Sequence, residues 1–356
     1  MNERSGKFLI FVVNTGSTST KVSLFENDSA LSSQTFSHSG EDLGSYNGIW
    51  GQYDFRCEIV LRWLKESGRS PSAVVGIGGL LKPVKGGTFR VNGSMISDAR
   101  RNVQGEHASN LGCAIAADVA DKFGCPAFVV DPVSVDEFES LARYSGHPLI
   151  ERRSLSHALN IHAAARLASA QLGKGISDTQ FVVAHLGGGI SVAPVRGGRI
   201  IDANDASSDG PFSPERTGGL PLQQFIDLCL SGKFSERELR RIVMGKGGLV
   251  AYLGTNSARE VEGRIDAGDS SAREVYEAMA YQISKEIGGM STVLTGRLNA
   301  TVLTGGLAAS EKLVGWIKER VGFIAPVLVF PGEDEMRSLA LGALRVLRGE
   351  EEAMEY

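Results

Sequence analysis

The chain has 356 residues, 42% hydrophobic and 22% charged, with a net charge of −4. That length suits two ordinary domains with sizeable cores, and the composition is that of a globular protein. The acidic balance excludes a broadly basic nucleic-acid surface, and no run reaches the ~18 apolar residues of a bilayer-crossing helix. The opening residues 1–7 precede only a short apolar run, so no signal peptide is expected. Cys57, Cys113, Cys125 and Cys229 are scattered. That pattern argues against a structural zinc or redox pair and fits a reducing cytoplasm. His157 and His162 lie five apart, which does not suit a metal pair on one helix face.

Residues 8–14 and 21–25 read as strands of a hairpin around a turn of small and hydroxyl residues, Thr15-Gly16-Ser17-Thr18-Ser19-Thr20. Such a turn lets backbone N–H groups and hydroxyls approach a polyphosphate, because glycine has no Cβ to block it. Residues 57–67 read as a helix and 73–78 as a buried strand ending in Gly-Gly. Leu111, Ile115, Val119 and Phe123 recur every fourth position, which predicts a helix over 106–123. A strand at 126–130 delivers Asp131, and a short helix is expected over 134–145. The alanine-rich run 157–172 reads as a helix in the connection between halves.

The second half opens with another apolar strand and turn, Phe181-Val182-Val183-Ala184-His185-Leu186-Gly187-Gly188-Gly189. The segment 207–219 is too rich in Gly, Pro and Ser for regular structure. Helices are expected at 222–231, 235–244, 271–294, 311–321 and 335–348. Strands are expected at 301–303 and 327–330. In the long helix 271–294, Val275, Met279, Ile283, Ile287 and Met290 form the apolar side.

The hairpins at 8–25 and 181–193 correspond, and Gly78-Gly79 corresponds to Gly305-Gly306. The two pairs are offset differently, which an insertion at about 209–264 explains. The pattern therefore reads as an α/β chain of two duplicated domains that grip a nucleotide from two sides. The halves are placed at 1–165, with the C-terminal helix packing back on it, and 166–334.

These residues resemble the acetate and butyrate kinases, acid kinases of the actin-like (ribonuclease H-like) ATPase superfamily. The marks run nearly end to end: Asn14-Thr15-Gly16-Ser17-Thr18-Ser19-Thr20-Lys21, Gly105-Glu106-His107-Ala108-Ser109-Asn110-Leu111-Gly112, and Val130-Asp131-Pro132-Val133. Then come Ala184-His185-Leu186-Gly187-Gly188-Gly189, Gly210-Pro211-Phe212-Ser213-Pro214-Glu215-Arg216, Gly245-Lys246-Gly247-Gly248 through Asn256, and Pro331-Gly332-Glu333-Asp334-Glu335-Met336. The resemblance implies reversible transfer of the γ-phosphoryl of ATP to a short aliphatic carboxylate such as butyrate or isobutyrate, giving an acyl phosphate. It implies two actin-like domains with the nucleotide in a cleft between them, Mg²⁺, and a homodimer or larger oligomer.

The resemblance also implies roles. Asn14, Ser17, Ser19 and Lys21 form a first cradle near the β- and γ-phosphates and Mg²⁺. His185, Gly187, Gly188 and Gly189 form a second cradle, with Gly305 and Gly306 beside the nucleotide. Asp131 is catalytic and near the metal, and Glu335 is the second acid for Mg²⁺. The neighbours Glu333 and Asp334 leave that position open by one. Arg216 meets the transferred phosphoryl group and His157 donates to it, while His107 and Asn110 belong to the acid site.

One stretch departs from the family. Butyrate kinases typically read Gly-Arg-Gly-Gly-Leu-Leu-Arg-Pro where this chain has Gly76-Ile77-Gly78-Gly79-Leu80-Leu81-Lys82-Pro83. Lys82 keeps a charge but loses the planar fork, and is expected to hold anionic oxygen in the missing arginine's place. The alternative reading is a catalytically weakened ATP-binding regulatory module of the same fold.

Overall fold

The computed structural model describes residues 6–332 and 334–356. Residues 1–5, where the leader reading falls, and Glu333 lie outside the described residues. The chain divides into two compact units. One holds residues up to Asp136 together with Asp334–Tyr356, and the other begins at Glu137.

The first unit is built on β1 (Leu9–Thr15), β2 (Ser19–Glu26), β3 (Ser29–Ser37), β4 (Ala73–Gly76), β5 (Thr88–Arg90) and β6 (Ala127–Val130). Their order across the sheet is β3-β2-β1-β4-β6-β5. The β1–β2 hairpin is antiparallel, while β1, β4 and β6 run parallel. β1 is buried almost throughout because both of its faces are covered. Phe11 and Val13 pack with Val60, Leu61 and Leu64 of the helix Tyr53–Glu66 and with Ile115 and Val119 of the helix Gly112–Phe123. The helix Glu335–Arg348 also packs on this sheet. Gly342 makes that approach possible, since a Cβ there would fall 2.5 Å from Val130 Cγ1.

The second unit carries β7 (Gln180–Leu186), β8 (Ile190–Arg196), β9 (Arg199–Ile200), β10 (Ala300–Gly305) and β11 (Val327–Pro331). Their order is β11-β10-β7-β8-β9, again with an antiparallel first hairpin and parallel neighbours. Read from the first hairpin outward, this is the order of the first unit without β5. Tyr276, Met279, Ile283 and Ile287 of the long helix Ser270–Val293 bury against β7, β8 and β10 residues. The helix Ala158–Gln171 lies in this unit and packs on β7 and β10. Between β9 and the long helix come four short helices, Leu222–Leu230, Glu236–Val243, Gly248–Leu253 and Ala258–Asp266.

Two local expectations are corrected, and one strand was not foreseen. β3 was not legible: its sequence is mostly polar, and it lies exposed at the sheet edge. The helix expected over 106–123 begins only at Gly112, after a 3₁₀ turn at Ala108–Leu111 that His107 caps. The helix expected over 134–145 does not form. Val135 bridges to Val84, and only Ser140–Arg143 makes a 3₁₀ turn. Pro132 and the β-branched Val133 and Val135 favour that extended backbone.

Candidate active site

In each unit the candidate residues gather at the carboxyl ends of parallel strands, where α/β sheets bind ligands. In the first unit these are Asn14 near the end of β1, the loop beyond Gly76 after β4, and Asp131 after β6.

Asn14 is nearly buried, and its Nδ2 donates to Glu335 Oε2 at 2.7 Å. Asp334 is occupied differently: it caps the last helix by accepting the Arg337 N–H at 2.9 Å. Asp131 is 5% exposed and sits in the left-handed backbone region with φ 40°. A non-glycine residue held there stores strain of the kind found at functional sites. Its Oδ1 accepts the Gly87 N–H at 2.6 Å, and its own N–H donates to the Gly87 carbonyl at 2.9 Å. Among the described residues no cluster of three or more metal-type side chains exists.

Ser17 and Lys21 are exposed on the first hairpin, and Ser19 is half-buried. His107 Nδ1 accepts the Ser109 N–H at 3.3 Å, so its neutral ring carries the proton on Nε2. Partial burial lowers its pKa. Asn110 is fully buried. Its Oδ1 accepts the Leu80 N–H at 2.8 Å, and its Nδ2 donates to the Gly105 carbonyl at 2.9 Å and to Asn102 Oδ1 at 3.0 Å. The structure therefore places Asn110 beneath the 79–82 loop as its organiser.

Lys82 is exposed, with Nζ 2.7 Å from Oδ2 of the buried Asp98. Asp98 also takes Arg101 and the Tyr356 hydroxyl, the latter at 3.0 Å. The Lys82 and Arg101 hydrogen bonds hold its carboxyl down at about 2. The Tyr356 oxygen in turn accepts the Lys82 backbone N–H at 3.0 Å. The ammonium is thus tethered on one side and open on the other.

In the second unit the triple glycine joins β7 to β8, and Gly305 ends the neighbouring β10. Gly305 has φ 92°, and a Cβ there would meet the Leu186 carbonyl at 2.5 Å. The two glycine turns therefore share one end of the sheet. Arg216 lies directly on the first: a Cβ on Gly189 would fall 2.3 Å from Arg216 Nη1. Ser213 fixes this pairing, donating to the Gly188 carbonyl at 2.6 Å and accepting the Arg216 N–H at 3.2 Å. Arg216 Nη1 donates to the Ala206 carbonyl at 2.9 Å. Among the described residues its other side-chain donors have no acceptor. Burial lowers its pKa, while Glu215 and Asp205 oppose that shift.

His157 precedes the helix Ala158–Gln171, and its ring lies 4.3 Å from that of His185 in β7. Its Nδ1 is 2.9 Å from Ser191 Oγ. Burial, then His185 and Arg216, hold its pKa well below the usual 6.5, so it is neutral at pH 7. With the Ser191 hydroxyl donating to Nδ1, its Nε2–H is a donor.

Sequence reading missed the supports of these groups. Gly245 and Gly247 donate N–H groups to the Glu215 carbonyl, and Asn256 Nδ2 donates to Glu215 Oε1 at 2.6 Å. The motif 245–256 therefore holds the Arg216 loop. Arg56 was also missed, although it falls in register with the apolar stripe of Val60 and Leu64 on its helix.

Comparisons with known proteins give the family and the fold. The family model described as "Acetokinase family" matches residues 149–319. The chain is 48% identical to a probable butyrate kinase of Listeria monocytogenes, covering 98% of this chain and 99% of that one. It is 47% identical to butyrate kinase 2 of Clostridium acetobutylicum over the same shares. Among solved structures, an acetate kinase of Porphyromonas gingivalis superposes with a TM-score of 0.78 at 16% identity, covering 96% of this chain and all of that one. A propionate kinase of Francisella tularensis gives 0.76 at 17% identity, covering 94% and 98%. At such low identity these two show the fold, which is actin-like in both units.

Proposed function

The chain belongs to the acetokinase family, and from that premise we propose that it is a carboxylate kinase of the butyrate kinase kind. It moves the γ-phosphoryl group of ATP reversibly to a short-chain aliphatic carboxylate such as butyrate or isobutyrate. The products are ADP and an acyl phosphate.

The acceptor needs no base, because a carboxylate is already ionised at neutral pH. One carboxylate oxygen supplies the electron pair for the new O–P bond. The bond from phosphorus to the β-phosphate oxygen breaks, and ADP leaves with that electron pair. The obstacle is an anion approaching a polyanion, so positioned positive charge and donors do most of the work.

The observation that carries this reading is Arg216 on the Gly189 turn, with donors to spare. Its fork suits the equatorial oxygens of a transferring phosphoryl group. Neutral His157 adds an uncharged donor from Nε2. Asn14, Ser17, Ser19 and Lys21 are proposed to hold the β- and γ-phosphates, with Gly187, Gly188, Gly189, Gly305 and Gly306 along the nucleotide. Asp131 and Glu335 are proposed to meet Mg²⁺, which would neutralise phosphate charge. The strained Asp131 and the Asn14–Glu335 hydrogen bond support that choice. Lys82 and His107 are proposed for the acid side, with Asn110 fixing the loop between them.

The alternative of a weakened regulatory module draws no support from relatives that are themselves named butyrate kinases. No helix among the described residues is long and apolar enough to cross a membrane, and the cysteines are free, as in the cytoplasm we propose. Self-association as a homodimer or larger oligomer is proposed, and light scattering tests it.

A hydroxamate assay with ATP, Mg²⁺ and straight or branched acids of two to six carbons tests the activity. Acyl phosphate from four-carbon acids is expected. No product with any acid would refute the reading.

A further inference from the structure

Arg56 heads the fully buried side chains by volume among the described residues, with no exposed surface. Among the described residues no carboxylate lies within ion-pair reach of it. Its charge is met only by neutral oxygens. Nε and Nη2 donate to Gln52 Oε1 at 3.1 and 2.9 Å. Nη1 donates to the carbonyls of Gly16 at 3.0 Å and Ser19 at 2.8 Å, and to Thr20 Oγ1 at 3.0 Å. Nη2 reaches the Ser17 carbonyl at 3.5 Å. Thr20 Oγ1 also meets His38 Nε2 at 2.9 Å. A buried guanidinium without a counter-ion is costly, and proteins ordinarily pair such a charge.

We infer that Arg56 is the positioning residue of the first hairpin turn: it gathers the turn's carbonyls to the protein side and so presents the turn's N–H groups to an anionic phosphate. The inference rests on reading that turn as a phosphate cradle. The peptide group is planar and trans, so the carbonyl of one residue and the N–H of the next point in opposite directions. With the Gly16 and Ser17 carbonyls drawn to Arg56, the N–H groups of Ser17 and Thr18 face away from it. Neither has an acceptor among the described residues, and both residues are exposed. Freed from Arg56, the same carbonyls could swing outward and repel phosphate. The guanidinium also supplies the positive charge that the cradle's own hydroxyls lack. A bound phosphate is then its counter-charge across the turn.

Two variants and one wild-type measurement test this. Arg56→Lys keeps the charge but loses the fork, and Arg56→Met removes both. In the folded variants the KM for ATP should rise about tenfold or more while the KM for butyrate stays within about twofold. The rise in Tm on adding ADP should shrink in parallel. In the wild-type protein, ADP should slow amide exchange at Ser17 and Thr18. A folded Arg56→Lys variant with wild-type KM for ATP and a full ADP shift overturns the inference. So does exchange at Ser17 and Thr18 that ADP leaves unchanged, which decides the matter even where the variants do not fold. The combined variant Ser17→Ala, Ser19→Ala, Lys21→Ala separates the two levels. An unchanged KM for ATP there, together with Ser17 and Thr18 amides that ADP does not protect, removes the cradle reading itself. A raised value there beside an unaffected Arg56→Lys removes only the role of Arg56.

Discussion

In the first unit the turn after β1 is backed by Arg56, which is wholly buried and divides its donors between the turn's own oxygens and Gln52. In the second unit the turn after β7 is covered by Arg216, which is half-buried and spends one donor on Ala206. The two turns hold the same place in two sheets whose strand order matches apart from β5. One arginine shapes its turn from inside, and the other stands beside its turn with most of its fork free. The hydroxyl-rich turn keeps its outer surface clear because the arginine lies beneath it. The glycine turn has no side chains of its own, so a neighbouring arginine can rest on its backbone. A duplicated scaffold can thus give equivalent positions different chemical tasks through where one cation is anchored.

The strongest way to break this comparison is Arg216→Ala. If Arg216 meets the transferring phosphoryl group, kcat should fall about a thousandfold, ~4 kcal/mol, with little change in ATP affinity. A steady-state kcat within about threefold of wild type, under ~1 kcal/mol, would remove the distinction between the two arginines. Gly189→Ala sharpens the same point without touching charge. Its Cβ would land on the guanidinium, so the arginine must move. Turnover is expected to drop roughly ten- to a hundredfold, a partial copy of the Arg216→Ala defect. Wild-type kinetics in that variant would mean the contact with Gly189 is incidental.

Lys82 tests a third kind of anchoring, a cation tied to a buried carboxylate at one end. Lys82→Ala should lower kcat/KM for the acid about tenfold and spare ATP binding, while Lys82→Arg keeps activity. An alanine variant equal to wild type with every acid would make Lys82 a bystander.

The smallest effect is thermal. The pKa of His157 is depressed in the folded state, so between that value and the unfolded value of about 6.5 only the unfolded chain takes up the proton. Stability therefore falls as pH drops below about 6.5 and is retained above it. His157→Gln should flatten the Tm curve between pH 7 and pH 5 by a few degrees, measured by calorimetry. Parallel curves for the two proteins would mean that His157 titrates normally.

The duplicated hairpins and the Gly-Gly strand ends were legible because strand periodicity and glycine turns are local signals. Arg216 and Asp131 were picked out by motifs, and their site roles are proposals. What escaped depended on partners far along the chain. β3 has no apolar alternation and is defined by pairing with β2. Asp98 and Tyr356 lie 258 residues apart and meet only in the fold. Arg56 fell just outside the helix read at 57–67, yet its place in the apolar stripe with Val60 and Leu64 was the available clue. Asn110 sat in a family motif, and only its buried amide shows that it holds the 79–82 loop.

The first unit is assembled from two separated stretches, with Gly342 seating the last helix against Val130. The second unit is one unbroken stretch. On a ribosome the second unit can close soon after it emerges. The first must wait for the final segment, which is roughly 10–40 s at ~5–20 residues per second. During that interval one face of its sheet lacks its cover. The unit made first is completed last.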